Sequence, residues 1–209
     1  MVSGKRRSRA VIRSFILVLA VGAPGTELCA QEAGSSASER AVEGKGARQD
    51  DELATLFQAL RAARDEASAR RIEDRIWRRW MQAPDARTAE LVREAMARRE
   101  VYDFAGARSL LDEAVARSPN YAEVYNQRGF ILFLQDDLDG ALGDVDRAIA
   151  LEPRHFAAMA GRALILMRQG RHRLAQKQLR EAVTIDPYLK ERNLLVGGEP
   201  EPGSPGIEL

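Results

Sequence analysis

From Leu53 onward, apolar residues recur at intervals of three and four positions, the spacing of helices that bury one stripe. Leu53, Leu56, Phe57 and Leu60 form one such stripe, and Ile72, Ile76, Trp77 and Trp80 form another on the following helix. Downstream the pattern becomes periodic. Pro119, Pro153 and Pro187 stand 34 residues apart and divide the chain into Thr88–Tyr121, Ala122–His155 and Phe156–Leu189. Each unit is predicted as two amphipathic helices around a short turn. In the middle unit Asn120 is placed to cap the first helix while Glu123 reaches back. Asp136 and Asp137 open the second helix, and Gly140 and Ala141 fall where the two helices pass closest. In the third unit Gly170 ends the first helix in a left-handed turn. A fixed period of this length marks stacked helix pairs, none of which buries its apolar face alone.

The second helices repeat a signature in phase: Ala107, Leu111, Ala114, Pro119; then Ala141, Val145, Ala148, Pro153; then Ala175, Leu179, Ala182, Pro187. This resembles the tetratricopeptide repeat. First-helix positions Tyr125, Gly129 and Leu132 fit as well, whereas Arg128 stands where a leucine is usual. Ala95 and Ala163 replace glycine, and Arg98 replaces a large apolar residue. The resemblance implies an all-α fold, a right-handed α-solenoid of three repeats. Residues 51–87 extend the period backwards with a poor match, Glu73 falling at a small-residue position. They read as a degenerate helical pair capping the N-terminal end of the stack.

The resemblance also implies a concave groove lined by the first helices. Transferred by position, the lining is Val92, Arg93 and Met96, then Glu123, Asn126, Gln127, Phe130 and Phe133, then Ala160, Gly161, Leu164, Met167 and Arg168. One known use of this groove clamps a terminal carboxylate with Lys, Asn and Arg. Here those places hold Val92, Met96, Gln127, Ala157 and Gly161, so that clamp is missing. An apolar trough remains, with Asn126 and Gln127 near its centre and methionines suited to irregular apolar segments. The expected partner is a helix or peptide of another envelope protein. Two alternatives stand beside it: filling of the trough by the chain's own N-terminal helices or C-terminal tail, and self-association as a homo-oligomer.

The ends add a compartment. Lys5, Arg6, Arg7 and Arg9 precede an apolar run, Ser14–Ala23, and Ala30 offers a cleavage point, the order of a signal peptide over 1–30. The run is about half of what spans a bilayer. Export to the periplasm or beyond is expected, with no stable membrane span in the mature chain. Residues 31–50 read as a flexible linker and 190–209 as a disordered C-terminal tail. Losing 1–30 removes five of 32 basic residues and one of 31 acidic ones, which leaves no electrostatic case for nucleic acid.

Composition then limits the chemistry. Cys29, the one cysteine, leaves with the leader, so thiol and zinc–thiolate sites are excluded. His155 and His172 sit in turns without nucleophile or metal-ligand spacing, and no phosphate loop appears. Asp136, Asp137, Asp139, Asp144 and Asp146 lack the spacing of a calcium loop and read mostly as turn and first-turn residues. Seven arginines against four acids in 61–80 read as an ion-paired face. No enzyme activity, cofactor or metal is expected. Trp77 and Trp80 share a helix face, either sealing the end of the stack or serving as an aromatic anchor for a partner.

Overall fold

The computed structural model describes residues 51–197; the expected leader, the linker and the tail beyond Gly197 lie outside the described residues. Among them, eight α-helices and a 3₁₀ turn occur without strands. Residues 51–61 are helical (α1), followed by α2 (Glu66–Trp80), α3 (Ala86–Glu100) and α4 (Phe104–Arg117). Then come α5 (Ala122–Leu134), α6 (Leu138–Leu151), α7 (Phe156–Arg168), α8 (His172–Ile185) and the 3₁₀ turn Lys190–Leu194. The periodic units are therefore α3–α4, α5–α6 and α7–α8, stacked as a solenoid.

The turns inside the units repeat to the residue. Tyr102, Asp136 and Gly170 occupy one register and all adopt positive φ, at 62°, 63° and 72°. After each, the backbone N–H of Asp103, Asp137 or Arg171 donates to the carbonyl five residues back, which closes the helix C-terminus. Only the third unit uses glycine there. Asp103 and Asp137 then cap α4 and α6 by accepting from Gly106 and Gly140 N–H at 2.9 and 3.1 Å. Start of α5 differs from expectation: its N-cap is Tyr121, with no side-chain cap, and Glu123 turns into the interior.

The six small positions of the signature, Ala107, Ala114, Ala141, Ala148, Ala175 and Ala182, are fully buried. A larger side chain there would force neighbouring helices apart. Arg128, the departure from leucine, ties units together. Its guanidinium donates twice to Asp144 at 2.7 Å and once to Asp112 of α4 at 2.9 Å. Arg162, one period later, repeats the grip on Asp146 and Gln178. Asp144 and Asp146 are thus held by arginines on helix flanks, not by turns.

The N-terminal pair does not cover the first unit. Its stripes (Leu53, Leu56, Phe57, Leu60, then Ala69, Ile76, Trp80) share one core with Phe156, Met159, Ala160, Ala163, Leu179, Ala182 and Leu189 of the third unit. Val145, the residue one period before Leu179, lies next to α7, so Leu179 faces the slot a fourth unit would fill. The pair fills that slot, because α7 and α8 otherwise end the stack with an uncovered apolar face. Tyr188 Oη donates to Ala63 O at 3.4 Å, and Arg154 lies 4.6 Å over the Phe57 ring. The chain stays ordered past Leu189, where the tail was expected to begin: Val196 N–H donates to Gln176 at 2.9 Å.

At the other end, Asp85 caps α3 by accepting from Arg87 and Thr88 N–H, and Arg117 Nε donates to it at 2.8 Å. The bonds from Arg117 and then Thr88 hold its carboxyl well below the ordinary value of 3.8. Its contribution to stability is therefore full above that value and fades as pH falls below it. In Asp85→Asn, urea midpoints should fall below wild type near neutrality and converge with it in acid; a constant gap would refute the assignment. Leu60→Ala should cost about 2–5 kcal/mol. Hydrogen exchange in that variant should accelerate in α7 and α8 more than in α3 and α4, whereas equal acceleration would contradict the packing described.

Candidate binding trough

Along α5, Asn126, Phe130 and Phe133 recur at helical spacing and face Ala157, Gly161 and Leu164 of α7 at the same spacing. Together with Gln127, Arg99 of α3, Val145, Ile165 and Trp77 of α2, they enclose a half-open cavity of about 190 Å³. Phe130 keeps 44% of its surface exposed at the mouth, with the Arg99 guanidinium 5.4 Å from its ring centre.

The floor is polar and closed. Glu123 is 1% exposed, and its carboxylate accepts from Gln127 Nε2 at 2.5 Å and from the Asn126 amide at 3.3 Å. His155, fully buried, lies with Nε2 3.0 Å from Glu123. His155 Nδ1 accepts from Ala158 N–H at 3.3 Å as the cap of α7, so the ring proton sits on Nε2 and is donated to Glu123. Arg99 donates to Gln127 Oε1 at 3.0 Å. Trp80 stacks on His155 at 4.0 Å and 16°, and Trp77 meets Trp80 edge-on at 5.5 Å. Leaving a buried acceptor of this kind without its donor costs about 1–3 kcal/mol, and more when it is charged, so the network anchors α2, α5 and α7 relative to one another.

The residues expected to line the groove separate into three groups. Asn126, Gln127, Phe130, Phe133, Leu164 and Trp77 meet in the cavity. Glu123 and Trp80 lie beneath it, and Met96 and Met167 are packed into the cores on either side. Arg93 is exposed, 3.9 Å from Glu90, and Arg168 sits at the rim, bonded to Asp136 at 2.6 Å and 5.6 Å from the Phe133 ring centre. Arg99 and His155 were not foreseen as part of the site. Arg99 precedes Phe133 by one full period, which is the signal that would have placed it. Among the described residues no group of three or more His, Cys, Asp or Glu is spaced to hold a metal ion, and no helix is long and apolar enough to cross a membrane.

No family model matches the chain. A TPR repeat-containing protein of Rhizobium etli is 32% identical over 135 residues, which is 65% of this chain and 66% of that protein. Tetratricopeptide repeat protein 36 of Xenopus tropicalis is 33% identical over 113 residues (51% of this chain, 55% of that protein). A lipoprotein NlpI homolog of Haemophilus influenzae is 36% identical over 95 residues (42% and 30%). The chain thus spans less than two thirds of the length of each. Among solved structures, the TPR2B domain in the pHsp70 complex of yeast Sti1 superposes with a TM-score of 0.50 at 20% identity, covering 53% of this chain and 90% of that one. The first TPR of Spaghetti (RPAP3), bound to the HSP90 peptide SRMEEVD, gives 0.51 at 15% identity, with 52% and 86% covered. At such identities the likeness is one of fold. Two of these relatives are named for tetratricopeptide repeats, and the two solved TPR domains share the helical fold of this chain.

Proposed function

We propose that the chain is a non-catalytic adaptor of the cell envelope that holds a helix or peptide segment of another protein in this trough. The observation that carries the reading is the half-open cavity, whose mouth is the partly exposed Phe130 and whose walls include the half-buried Trp77, Phe133 and Leu164. Such a recess, with apolar walls and a few fixed polar groups, suits a side chain of a docked segment. Carboxylate-clamp positions are occupied by Val92, Met96, Gln127, Ala157 and Gly161, so a terminal acidic peptide of the SRMEEVD kind finds no matching charges at those positions. The envelope assignment is supported by the leader-like residues 1–30 and by the Haemophilus relative named as a lipoprotein homolog.

The test is affinity capture from envelope extract with the chain lacking its leader. A species retained by wild type should be lost about tenfold or more, some 1.4 kcal/mol, on Phe130→Ser with Phe133→Ser. It should be kept on Tyr102→Ser, a change on the far α3–α4 turn. Equal retention by all three proteins would refute the trough as the docking surface.

A further inference from the structure

Beyond Trp77 the trough runs into a second recess of about 390 Å³, and Trp77, Phe130, Ala157, Gly161 and Leu164 wall both. Its chemistry is different. Glu73 and Asp74 of α2, Asp186 at the end of α8 and Glu191 of the 3₁₀ turn line it, against Arg70 and Lys190. Acids therefore outnumber bases in the lining.

Asp186 carries the argument. Its side chain is 1% exposed, yet only one oxygen is used: Oδ1 accepts from Tyr188 N–H at 3.0 Å. Oδ2 is buried with no hydrogen-bond partner among the described residues. A carboxylate oxygen in that condition is costly unless a donor reaches it. Two of the adjacent cations are committed elsewhere, while the exposed Lys190 acts on Glu73 only through space. Arg70 is bonded to Glu66 at 2.5 Å, and Arg192 to the Leu189 carbonyl at 3.1 Å and to that of Tyr188. Burial pushes both the Asp186 and Glu73 carboxyls up, and the proximity of Asp186 raises Glu73 further, so an added positive charge would relieve both.

We propose that this recess receives a basic side chain, lysine or arginine, from the partner segment whose neighbouring apolar residue fills the cavity under Phe130. This rests on the trough being the docking surface. A long basic side chain fits the lining because its aliphatic stem can lie along Phe156, Leu164 and Leu189 while its head meets Asp186 and Glu73. The chain's own residues 198–209 do not complement the recess, since they hold three glutamates and no basic residue.

The experiment is selection of a displayed library of random twelve-residue peptides on the chain without its leader. Peptides that require Phe130 should be enriched in a Lys or Arg near an apolar residue. One such peptide should bind Asp186→Asn with Glu73→Gln about tenfold more weakly, and that difference should vanish when its basic residue is replaced by norleucine. Asparagine keeps the acceptor for Tyr188 N–H; if the double variant unfolds, Glu73→Gln alone, on the α2 wall, should still weaken binding of the basic peptide and not of the norleucine one. Selected peptides that require Phe130 but show no basic preference would overturn this inference and leave the trough intact. Peptides indifferent to Phe130→Ser, or a selection that yields none, would overturn the trough reading and this inference together.

Discussion

Every helix pair in this chain leaves one apolar face that only a neighbouring pair can cover, and the whole arrangement follows from how the last such face is covered. Within the stack the problem solves itself: α5–α6 covers α3–α4, and α7–α8 covers α5–α6. The third unit has no successor among the described residues. Leu179 and Ala182 would stand open to water there, together with Phe156, Met159 and Ala163 on α7. The N-terminal pair lies against them, and burial of its Leu56, Phe57 and Leu60 is worth about 1.5–3 kcal/mol each by area. That gain sets where α1 and α2 go.

The trough is a consequence. For α1 to reach the third unit, α2 must run back towards α3 past the inner faces of α5 and α7. It places Trp80 on His155 and Trp77 at the cavity edge. Part of the inner surface is thereby closed in cis. What remains open lies between Arg99, Phe130, Phe133 and Leu164. The Glu123–His155 pair keeps that remainder in shape, since it ties α5 to the turn before α7 beneath the cavity.

The units, their turns and their small contact residues were legible because the period depends on neighbours close in sequence. An alanine at a crossing point or a proline after a helix carries its reason locally. The destination of the N-terminal pair was not legible. The stripe Leu53–Leu60 says that a face is buried, not which surface buries it, and the third unit's face is more than a hundred residues away. Glu123 was misplaced for a related reason. Its position on the inner stripe was visible, but a carboxylate suggested exposure or capping. His155, brought from the following inter-unit turn, makes its burial tolerable together with Asn126 and Gln127. Arg128 looked like a weakened repeat position, and its three bonds to Asp112 and Asp144 require two other helices to be in place.

The central claim is that the first two helices close the third unit of their own chain. Glu66 and Arg192 lie 3.8 Å apart across that junction. With Cys29 replaced by serine, the variant Glu66→Cys with Arg192→Cys should be joined within one molecule by a short bis-maleimide, equally well on dilution. No cross-link, or one that forms only between molecules and disappears on dilution, would contradict the account.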